Sequence, residues 1–252
     1  MKIKVSIVIP VFNEEGNILE LIKEISTIVK KQFEYEIIVI DDCSNDSTLK
    51  LLTNYKKKFK NLLIIKHEKN YGQSISLKTG IMNSKFHNIV TLDGDGQNDP
   101  ADIFKMVKKF KNDKDFMMVI GNRINRNDKF TRRAASRLAF KARKVLLRDD
   151  TPDTGCAIKV FKKHDFLRLP FFNHIHRFLP FFFKAFGGTV ISVPVNHRPR
   201  KSGVSKYSNL QRFLVGIRDL FGVIWLKSRI KWPINSKKVS NFKIVKRGKY
   251  GN

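Results

Sequence analysis

Two aspartates separated by one glycine occur in the segment Asp93-Gly94-Asp95-Gly96-Gln97, directly after a short apolar run. Alternate residues of an extended chain point the same way, so the two carboxylates converge, and Gln97 adds a neutral oxygen. Oxygens of this kind bind hard cations, and three of them leave positions open for water and phosphate oxygens. The segment predicts a Mg²⁺ or Mn²⁺ site that carries a nucleotide. The alternative is a turn in which Asp and Gly only suit the backbone.

A second candidate carboxylate, Asp42, ends another apolar run. In doubly wound folds, a carboxylate at such a strand end often binds the ribose or base of a nucleotide. Turn and cap chemistry accounts for the neighbouring Asp46 and serines, whereas we favour a binding role for Asp42. Residues 10–14 follow the first apolar run and, together with the other strand ends, predict a nucleotide pocket.

The elements that must position these residues alternate along the first half of the chain. Apolar, β-branched runs predict strands, and the amphipathic segments between them predict helices. The predicted strands are 5–11, 36–40, 62–66, 89–92 and 117–120, and the predicted helices are 18–29, 48–59, 75–82 and 103–110. This alternation is typical of an α/β fold with a mostly parallel sheet and helices on both faces. Ligands bind such sheets beyond the carboxyl ends of the strands.

The pattern changes after residue 123. A basic helix is predicted at 130–147, strands at 156–161 and 189–195, and a Phe-rich segment at 171–186 that we assign to the core. A basic loop at 197–207 then leads into a C-terminal amphipathic helix. We divide the chain into a catalytic domain (1–208), an amphipathic membrane-surface helix (209–232) and a basic flexible tail (233–252).

Composition restricts the class of protein. The 252 residues are 42% hydrophobic, which excludes a disulfide mini-protein and a disordered chain. The formal net charge of +28 favours an anionic partner, such as nucleic acid, an anionic membrane or a phosphorylated substrate. Cys43 and Cys156 are far apart and lack zinc-ligand spacing, so we expect no disulfide framework or structural zinc site. A reducing, cytosol-facing setting fits.

Two apolar stretches bear on membrane attachment. Residues 178–197 have the length of a spanning helix, but two prolines and a Gly-Gly pair interrupt them. Residues 213–226 are interrupted by Arg218 and Asp219 and are followed by several Lys and Arg residues. This second stretch predicts a helix that lies on an anionic membrane surface without crossing it.

The ordered set of motifs resembles a family 2 glycosyltransferase of the GT-A fold, in the dolichyl-phosphate or undecaprenyl-phosphate sugar transferase branch. The similarity extends over roughly residues 3–230, and its motifs are PVFNE (10–14), DDCSNDST (41–48), LDGDGQNDP (92–100), GNR (121–123) and HRPRKSGVSKY (197–207). The resemblance implies a Rossmann-like sheet. It also implies an enzyme, similar to dolichol-phosphate mannosyltransferase, that moves mannose or another hexose from a nucleotide-diphosphate sugar to a polyprenyl phosphate.

The resemblance also assigns the donor site. The metal on the donor diphosphate would be held by Asp93, Asp95 and Gln97. The residues expected to line the rest of the donor site are Pro10, Phe12, Glu14, Asp42 and Gly94. Phe12 stands where many relatives carry tyrosine, which removes a hydroxyl contact. The transmembrane helices that some relatives append are absent, so we expect peripheral attachment at the cytoplasmic face of a membrane.

Cations must neutralise the phosphates of donor and acceptor in one cleft. Similarity to the family assigns the acceptor phosphate to Arg123, Arg132 and Ser136. Arg200 and Lys206 flank a glycine in the late loop, and we expect them to close over the donor phosphates as a lid. Arg177 is a further donor-binding candidate.

The acceptor determines the expected mechanism. A phosphate monoester is already ionised at neutral pH, since its second pKa is about 6, and so it needs no strong general base. We expect one displacement that inverts the anomeric centre, with Asp95, Arg123 and Asp153 as the catalytic residues. Asp153 is the base if one is used, and otherwise it orients the cleft.

Two other functions stay open at this stage. One is a family 2 transferase that acts on a hydroxyl of a saccharide or lipid. The other is a non-catalytic polyanion-binding protein, for which the charge of +28 is the only support. Because the strongest motif is acidic, we expect as partners a nucleotide-diphosphate sugar, a polyprenyl phosphate lipid and an anionic membrane surface, but no nucleic acid. Homo-oligomerisation is left open.

Overall fold

The computed structural model describes residues 2–110, 116–124, 130–199 and 209–230, and within these ranges it describes only the backbone of residues 130–136 and 209–214. The strands of the described chain form one seven-stranded sheet in the order β3-β2-β1-β4-β6-β5-β7. The strands are β1 (Ile3–Val11), β2 (Phe33–Asp41), β3 (Leu62–Lys66), β4 (Asn88–Thr91), β5 (Met117–Arg123), β6 (Lys159–Lys162) and β7 (Thr189–Val195). Only the two pairs that contain β6 are antiparallel, so the predicted α/β fold with a mostly parallel sheet is confirmed.

The α-helices of the described chain fall between and after these strands. They are α1 (Ile18–Val29), α2 (Thr48–Lys56), α3 (Gln73–Met82), α4 (Asp102–Lys109), α5 (Phe130–Leu147), α6 (Lys163–Leu167), α7 (Leu179–Ala185) and α8 (Asn209–Arg229). A single 3₁₀ turn covers Ile175–Arg177. The strand expected at 156–161 begins only at Lys159, because the residues before it form a turn in which the Cys156 amide donates to the Asp153 carbonyl at 3.3 Å.

Packed structure covers both faces of the sheet centre. The consecutive residues Ile7, Val8 and Ile9 of β1 are fully buried, as are residues 37–40 of β2. Successive side chains of a strand point to opposite faces, so burial of a whole run requires cover on both sides. These strands carry continuous runs of Val and Ile for this reason.

Helix α3 lies very close to one face of the sheet. A Cβ atom added to Gly80 in the middle of α3 would lie 2.5 Å from Val8 Cγ1 and 2.5 Å from Ile40 Cδ1. Only glycine allows this approach. The close packing fixes the N-terminus of α3, which begins at Gln73 beside the carboxyl ends of β1 and β4.

The Phe-rich segment belongs to the hydrophobic core. Phe181, Phe182 and Phe183 of α7 are at most 3% exposed. Phe116, before β5, packs edge-on against Phe183 with ring centroids 6.0 Å apart. The prediction that this segment is core is confirmed for the phenylalanines from Phe178 to Phe186, whereas Phe171 at its start is 36% exposed. No helix in the described ranges has the length and apolar character needed to cross a bilayer.

We expect Gly188→Ala to destabilise the fold. A Cβ atom at Gly188 would lie 1.9 Å from the Phe116 carbonyl oxygen, a backbone atom that cannot move aside without disturbing the β5–β7 pairing. Overpacking of this kind costs about 1–3 kcal/mol, which urea unfolding would detect. The matched control is Gly222→Ala in α8, where the added Cβ meets no atom within 4 Å and helix propensity should keep stability equal or slightly higher. Equal stability of both variants would contradict the packing described here.

Candidate active site

A pocket of about 590 Å³ opens at the carboxyl ends of the parallel strands. This is the edge at which ligands bind α/β sheets. Ten of the residues predicted from the sequence line it: Pro10, Phe12, Glu14, Asp42, Asp93, Gly94, Asp95, Gln97, Arg123 and Arg177. The fold therefore brings together residues from four separate strand ends and from the 3₁₀ turn.

The acidic segment after β4 forms one wall of the pocket. Asp93 Oδ1 accepts a hydrogen bond from the Gln73 side chain, at 2.7 Å from Nε2. Asp95 Oδ1 accepts one from the backbone N–H of Gln97 at 3.1 Å. A Cβ atom on Gly94 would lie 2.5 Å from Val11 Cγ1, so the segment passes close to the end of β1. Glycine at this position is needed for that approach.

The electrostatics of this wall favour a cation. Burial and the nearby Asp95 charge raise the Asp93 pKa to about 7, although Lys159 and Arg123 act in the opposite direction. Two carboxylates that disfavour each other's ionisation are relieved by a divalent cation between them. The Gln97 Nε2 group donates to the Arg198 carbonyl at 3.4 Å, so the amide oxygen is not used in that bond. This set of two carboxylates and an amide oxygen fits Mg²⁺ or Mn²⁺.

No cluster of three or more His, Cys, Asp or Glu side chains suited to a metal is found in the described part of the chain. The predicted site contains two carboxylates and one amide. It therefore differs from closed protein cages, and a phosphate-bound cation that keeps several positions for ligand oxygens needs no third acid.

Asp42 fixes the opposite wall. Its carboxylate accepts hydrogen bonds from the Tyr71 and Gly72 amides at 3.0 and 2.7 Å, and it contacts His67 Nδ1 at 2.7 Å. The turn that Asp42 holds leads directly into Gln73, which contacts Asp93. Asp42 thus lies at the pocket as predicted, but both of its oxygens contact groups of the protein.

Arg123 and Asp153 form a two-point ion pair at the third side of the pocket. Arg123 Nε donates to Asp153 Oδ2 at 2.6 Å, and Nη2 donates to Oδ1 at 2.8 Å. Burial lowers the Arg123 pKa, but the hydrogen bonds and the charge of Asp153 outweigh burial, and the pKa is raised overall. Arg123 is therefore a permanent cation with a fixed orientation.

A buried polar network supports the loop that carries Asp153. Arg143 of α5 donates to the Thr151 carbonyl at 3.2 Å and also contacts Thr154 Oγ1. Lys184 of α7 contacts the fully buried Asp149 at 3.3 Å. Through these contacts, α5 and α7 hold residues 149–154 of the loop, and Asp153 in this stretch holds Arg123.

The basic loop predicted as a lid begins beside the acidic segment. The Arg198 amide donates to the Gln97 carbonyl at 2.9 Å. The Arg198 guanidinium binds Glu24 of α1 and Asp99 before α4, which raises its pKa. Arg200 and Lys206 lie outside the described residues, and Arg132 and Ser136 belong to the part of α5 for which only the backbone is described.

The pocket also contains residues that the sequence did not lead us to place there, among them Gln73, Lys159 and His176. Lys159 is 4% exposed at the start of β6, and His176 is half-buried beside Arg177. Burial and the nearby cations lower the His176 pKa well below its usual value, so the ring is neutral at physiological pH, and its Nδ1 lies 2.7 Å from Ser74 Oγ. A lysine inside an apolar strand was the available signal for Lys159. The alternation of His174 and His176 was visible in the sequence and we rejected it as a zinc site, but the place of His176 in the pocket depends on a contact between residues about 100 positions apart.

Solved structures with the same fold come from several glycosyltransferases. Glucosyl-3-phosphoglycerate synthase from Mycobacterium tuberculosis, in complex with Mn²⁺, UDP and glucosyl-3-phosphoglycerate, is 16% identical with a TM-score of 0.66, and the alignment covers 90% of this chain and 81% of that one. Mannosyl-3-phosphoglycerate synthase from Rubrobacter xylanophilus is 12% identical with a TM-score of 0.64, covering 91% and 76%. At this level of identity the likeness establishes the fold, and the predicted GT-A architecture is confirmed.

Sequence comparison identifies the family. Dodecaprenyl-phosphate galacturonate synthase from Rhizobium johnstonii is 30% identical over 228 residues, which cover 88% of this chain and 67% of that protein. Residues 6–169 match the profile of glycosyl transferase family 2. The chain belongs to glycosyl transferase family 2.

Proposed function

We propose that this glycosyltransferase moves a hexose-type sugar from a nucleoside-diphosphate sugar to a polyprenyl phosphate at the cytoplasmic face of a membrane. The observation that carries the proposal is one pocket in which the Asp93 and Asp95 carboxylates lie on one wall and the fixed Arg123 cation on another. Such a pocket suits a reaction in which one phosphate attacks and another leaves. The similarity to dodecaprenyl-phosphate galacturonate synthase supports a polyprenyl phosphate as the acceptor class.

The donor would bind along the acidic wall. Asp93, Asp95 and Gln97 would hold Mg²⁺ or Mn²⁺, and when bound the metal would stabilise negative charge on the departing diphosphate. Residues 10–14 and the turn held by Asp42 would enclose the nucleoside. The Arg198 amide donates to the Gln97 carbonyl, and Arg200 and Lys206, which follow in the chain, would cover the donor phosphates.

The acceptor would bind beside Arg123. Helix α5 follows β5 in the chain, and its first turns carry Arg132 and Ser136, the other two candidates for the acceptor phosphate. An oxygen of the ionised monoester attacks the anomeric carbon, and the bond from that carbon to the nucleoside diphosphate breaks. Attack from the face opposite the leaving group inverts the anomeric centre. Because the attacking oxygen carries no proton, no base is needed.

Asp153 orients Arg123 in this mechanism. Its two oxygens are engaged by Nε and Nη2 of Arg123, and a carboxylate in this pairing is a poor proton acceptor. The pairing uses two of the five guanidinium N–H donors, leaves three for incoming phosphate, and prevents the arginine from adopting other rotamers.

The surface of the protein that contacts the membrane would be formed by α5 and α8 together. The large apolar side chains exposed on these helices are Leu138, Val145, Leu146, Ile217, Phe221 and Trp225. Exposed cations lie among them, including Arg137, Lys141 and Lys144 on α5 and Lys227 on α8. The Lys227 ammonium contacts the Leu146 carbonyl at 3.4 Å, which joins the two helices near this surface. Apolar side chains flanked by cations are typical of helices that lie in an anionic interface.

The acidic pair gives the first test. We expect Asp93→Asn and Asp95→Asn each to lower divalent-dependent sugar transfer by about 100-fold or more, since charge stabilisation on the leaving group is lost. A panel of UDP-sugars and GDP-sugars with farnesyl phosphate and Mn²⁺ or Mg²⁺ would measure this and identify the donor. The control is Glu34→Gln, an exposed acid near the start of β2 that pairs with Lys4 at 3.1 Å and does not line the pocket, and it should leave transfer unchanged. A polyanion binder without catalysis would show no transfer in the wild type and tighter anion binding in the two variants.

The orienting role of Asp153 gives a second test. We expect Asp153→Asn to lower kcat by about 100-fold through misplacement of Arg123, with the shape of the pH–rate profile unchanged. A general base would behave differently, because its removal abolishes the acidic limb of the profile. Disappearance of that limb in the variant would show that Asp153 accepts a proton, which would favour a hydroxyl acceptor.

The interfacial surface gives a third test. Phe221 and Trp225 are 67% and 61% exposed, and the double variant Phe221→Ser/Trp225→Ser should sediment with anionic liposomes at least about tenfold more weakly. Met82→Ser on α3 removes a side chain of comparable exposure, 56%, away from this surface. An equal loss of liposome binding in Met82→Ser, or no binding of the wild type to anionic liposomes at low salt, would contradict the assignment of this surface.

A further inference from the structure

Lys159 is one of the residues that line the pocket. As the first residue of the antiparallel strand β6, it is paired with Thr91 on one side and with Ile120 on the other. Thr91 ends the strand that leads to Asp93, and Ile120 belongs to the strand that ends at Arg123. The side chain of Lys159 is 4% exposed and lines the pocket. It is therefore the buried cation between the donor wall and the acceptor wall.

This ammonium group has little compensation from the protein. Lys159 Nζ donates to the Cys156 carbonyl, and among the described residues no carboxylate forms an ion pair with it. The nearest acids are otherwise engaged, since Asp153 binds Arg123 at two points and Asp93 accepts from Gln73. Burial lowers the Lys159 pKa, although the charges of Asp93 and Asp153 act in the opposite direction. The protein therefore offsets only part of the several kcal/mol that a buried charge costs.

A purely structural role does not account for the charge. The Cys156 carbonyl needs one donor, and an ammonium group has three. A neutral donor would serve that carbonyl without the cost of a buried charge. Anionic ligand oxygens would supply the direct ion pair that Asp93 and Asp153, which act on Lys159 without contacting it, do not form.

We propose that Lys159 binds an oxygen of a phosphate group held in this pocket. Two sources supply that chemistry: the diphosphate of the donor and the phosphate monoester of the acceptor. The inference rests on the proposed function, because it takes both ligands from that reaction. In either case the ammonium stabilises the phosphates beside the Arg123 guanidinium.

The test compares Lys159→Met with the wild type. Methionine keeps the length and apolar stem of the side chain and removes the charge. Calorimetry with Mn²⁺ would give the affinities for UDP and for uridine, or for GDP and guanosine if the donor panel identifies guanine. Steady-state kinetics would give KM for farnesyl phosphate, and thermal unfolding would give stability without ligand. Lys162→Met, on the same strand and buried but outside the pocket lining, is the matched control.

We expect Lys159→Met to weaken phosphate binding by about tenfold or more. If the affinity for the nucleoside diphosphate falls while the affinity for the nucleoside is unchanged, the donor diphosphate is the ligand of Lys159. A raised KM for farnesyl phosphate, with unchanged nucleotide affinity, would identify the acceptor instead. Without ligand the variant should be as stable as the wild type or more stable, since an uncompensated charge has been removed.

Three outcomes would overturn the inference: unchanged affinities and KM in the folded variant, an equal loss of uridine and UDP affinity, or the same changes in Lys162→Met. If Lys159→Met does not fold, Lys159→Gln, which keeps a donor for the Cys156 carbonyl, takes its place under the same criteria.

The behaviour of the wild type separates this inference from the proposed function. A wild type that transfers no sugar and binds no nucleoside diphosphate defeats the function, whereas an active wild type with an unaffected variant defeats only the role of Lys159.

Discussion

The repulsion between the Asp93 and Asp95 carboxylates is the constraint on which the site depends. The fold holds these two acids together at the end of β4, where burial and mutual repulsion raise the Asp93 pKa to about 7. Such an arrangement costs stability unless a cation occupies it. The close approach of Gly94 to Val11 and the bond from Gln73 to Asp93 keep the acids in place. The site is thus organised before a metal or donor arrives, which reduces the cost of binding.

The cations of the pocket are held in a different way from the acids. Arg123 is fixed by Asp153, and Asp153 by a loop that Arg143 and Lys184 secure from two helices. Lys159 is fixed by its strand and by burial. Rigid positive groups facing a rigid acidic pair suit a transfer between two phosphates, because the stabilising groups need not reorganise while charge moves from acceptor to leaving group.

Much of this site was predictable from the sequence, for a physical reason. Parallel strands place their carboxyl ends at one edge, so Asp42, Asp93 and Arg123, each following an apolar run, had to lie near one another. What the sequence could not supply was the partners of these residues. Three features depend on contacts between distant segments: Arg123 pairs with Asp153, Asp42 holds the turn at Tyr71 and Gly72, and Lys159 is buried. Local pattern carries no information about such contacts. The start of β6 was misjudged for a similar reason, because the turn at Asp153 outweighs the apolar character of the residues that follow it.

The most direct measurement is the anomalous scattering of Mn²⁺ in crystals grown with a nucleoside diphosphate. We expect one peak within coordination distance of Asp93 or Asp95 and of the diphosphate oxygens, at the carboxyl end of β4. A peak that contacts the nucleotide but neither aspartate, or a nucleotide bound in the pocket with full occupancy and no peak beside these acids, would contradict it.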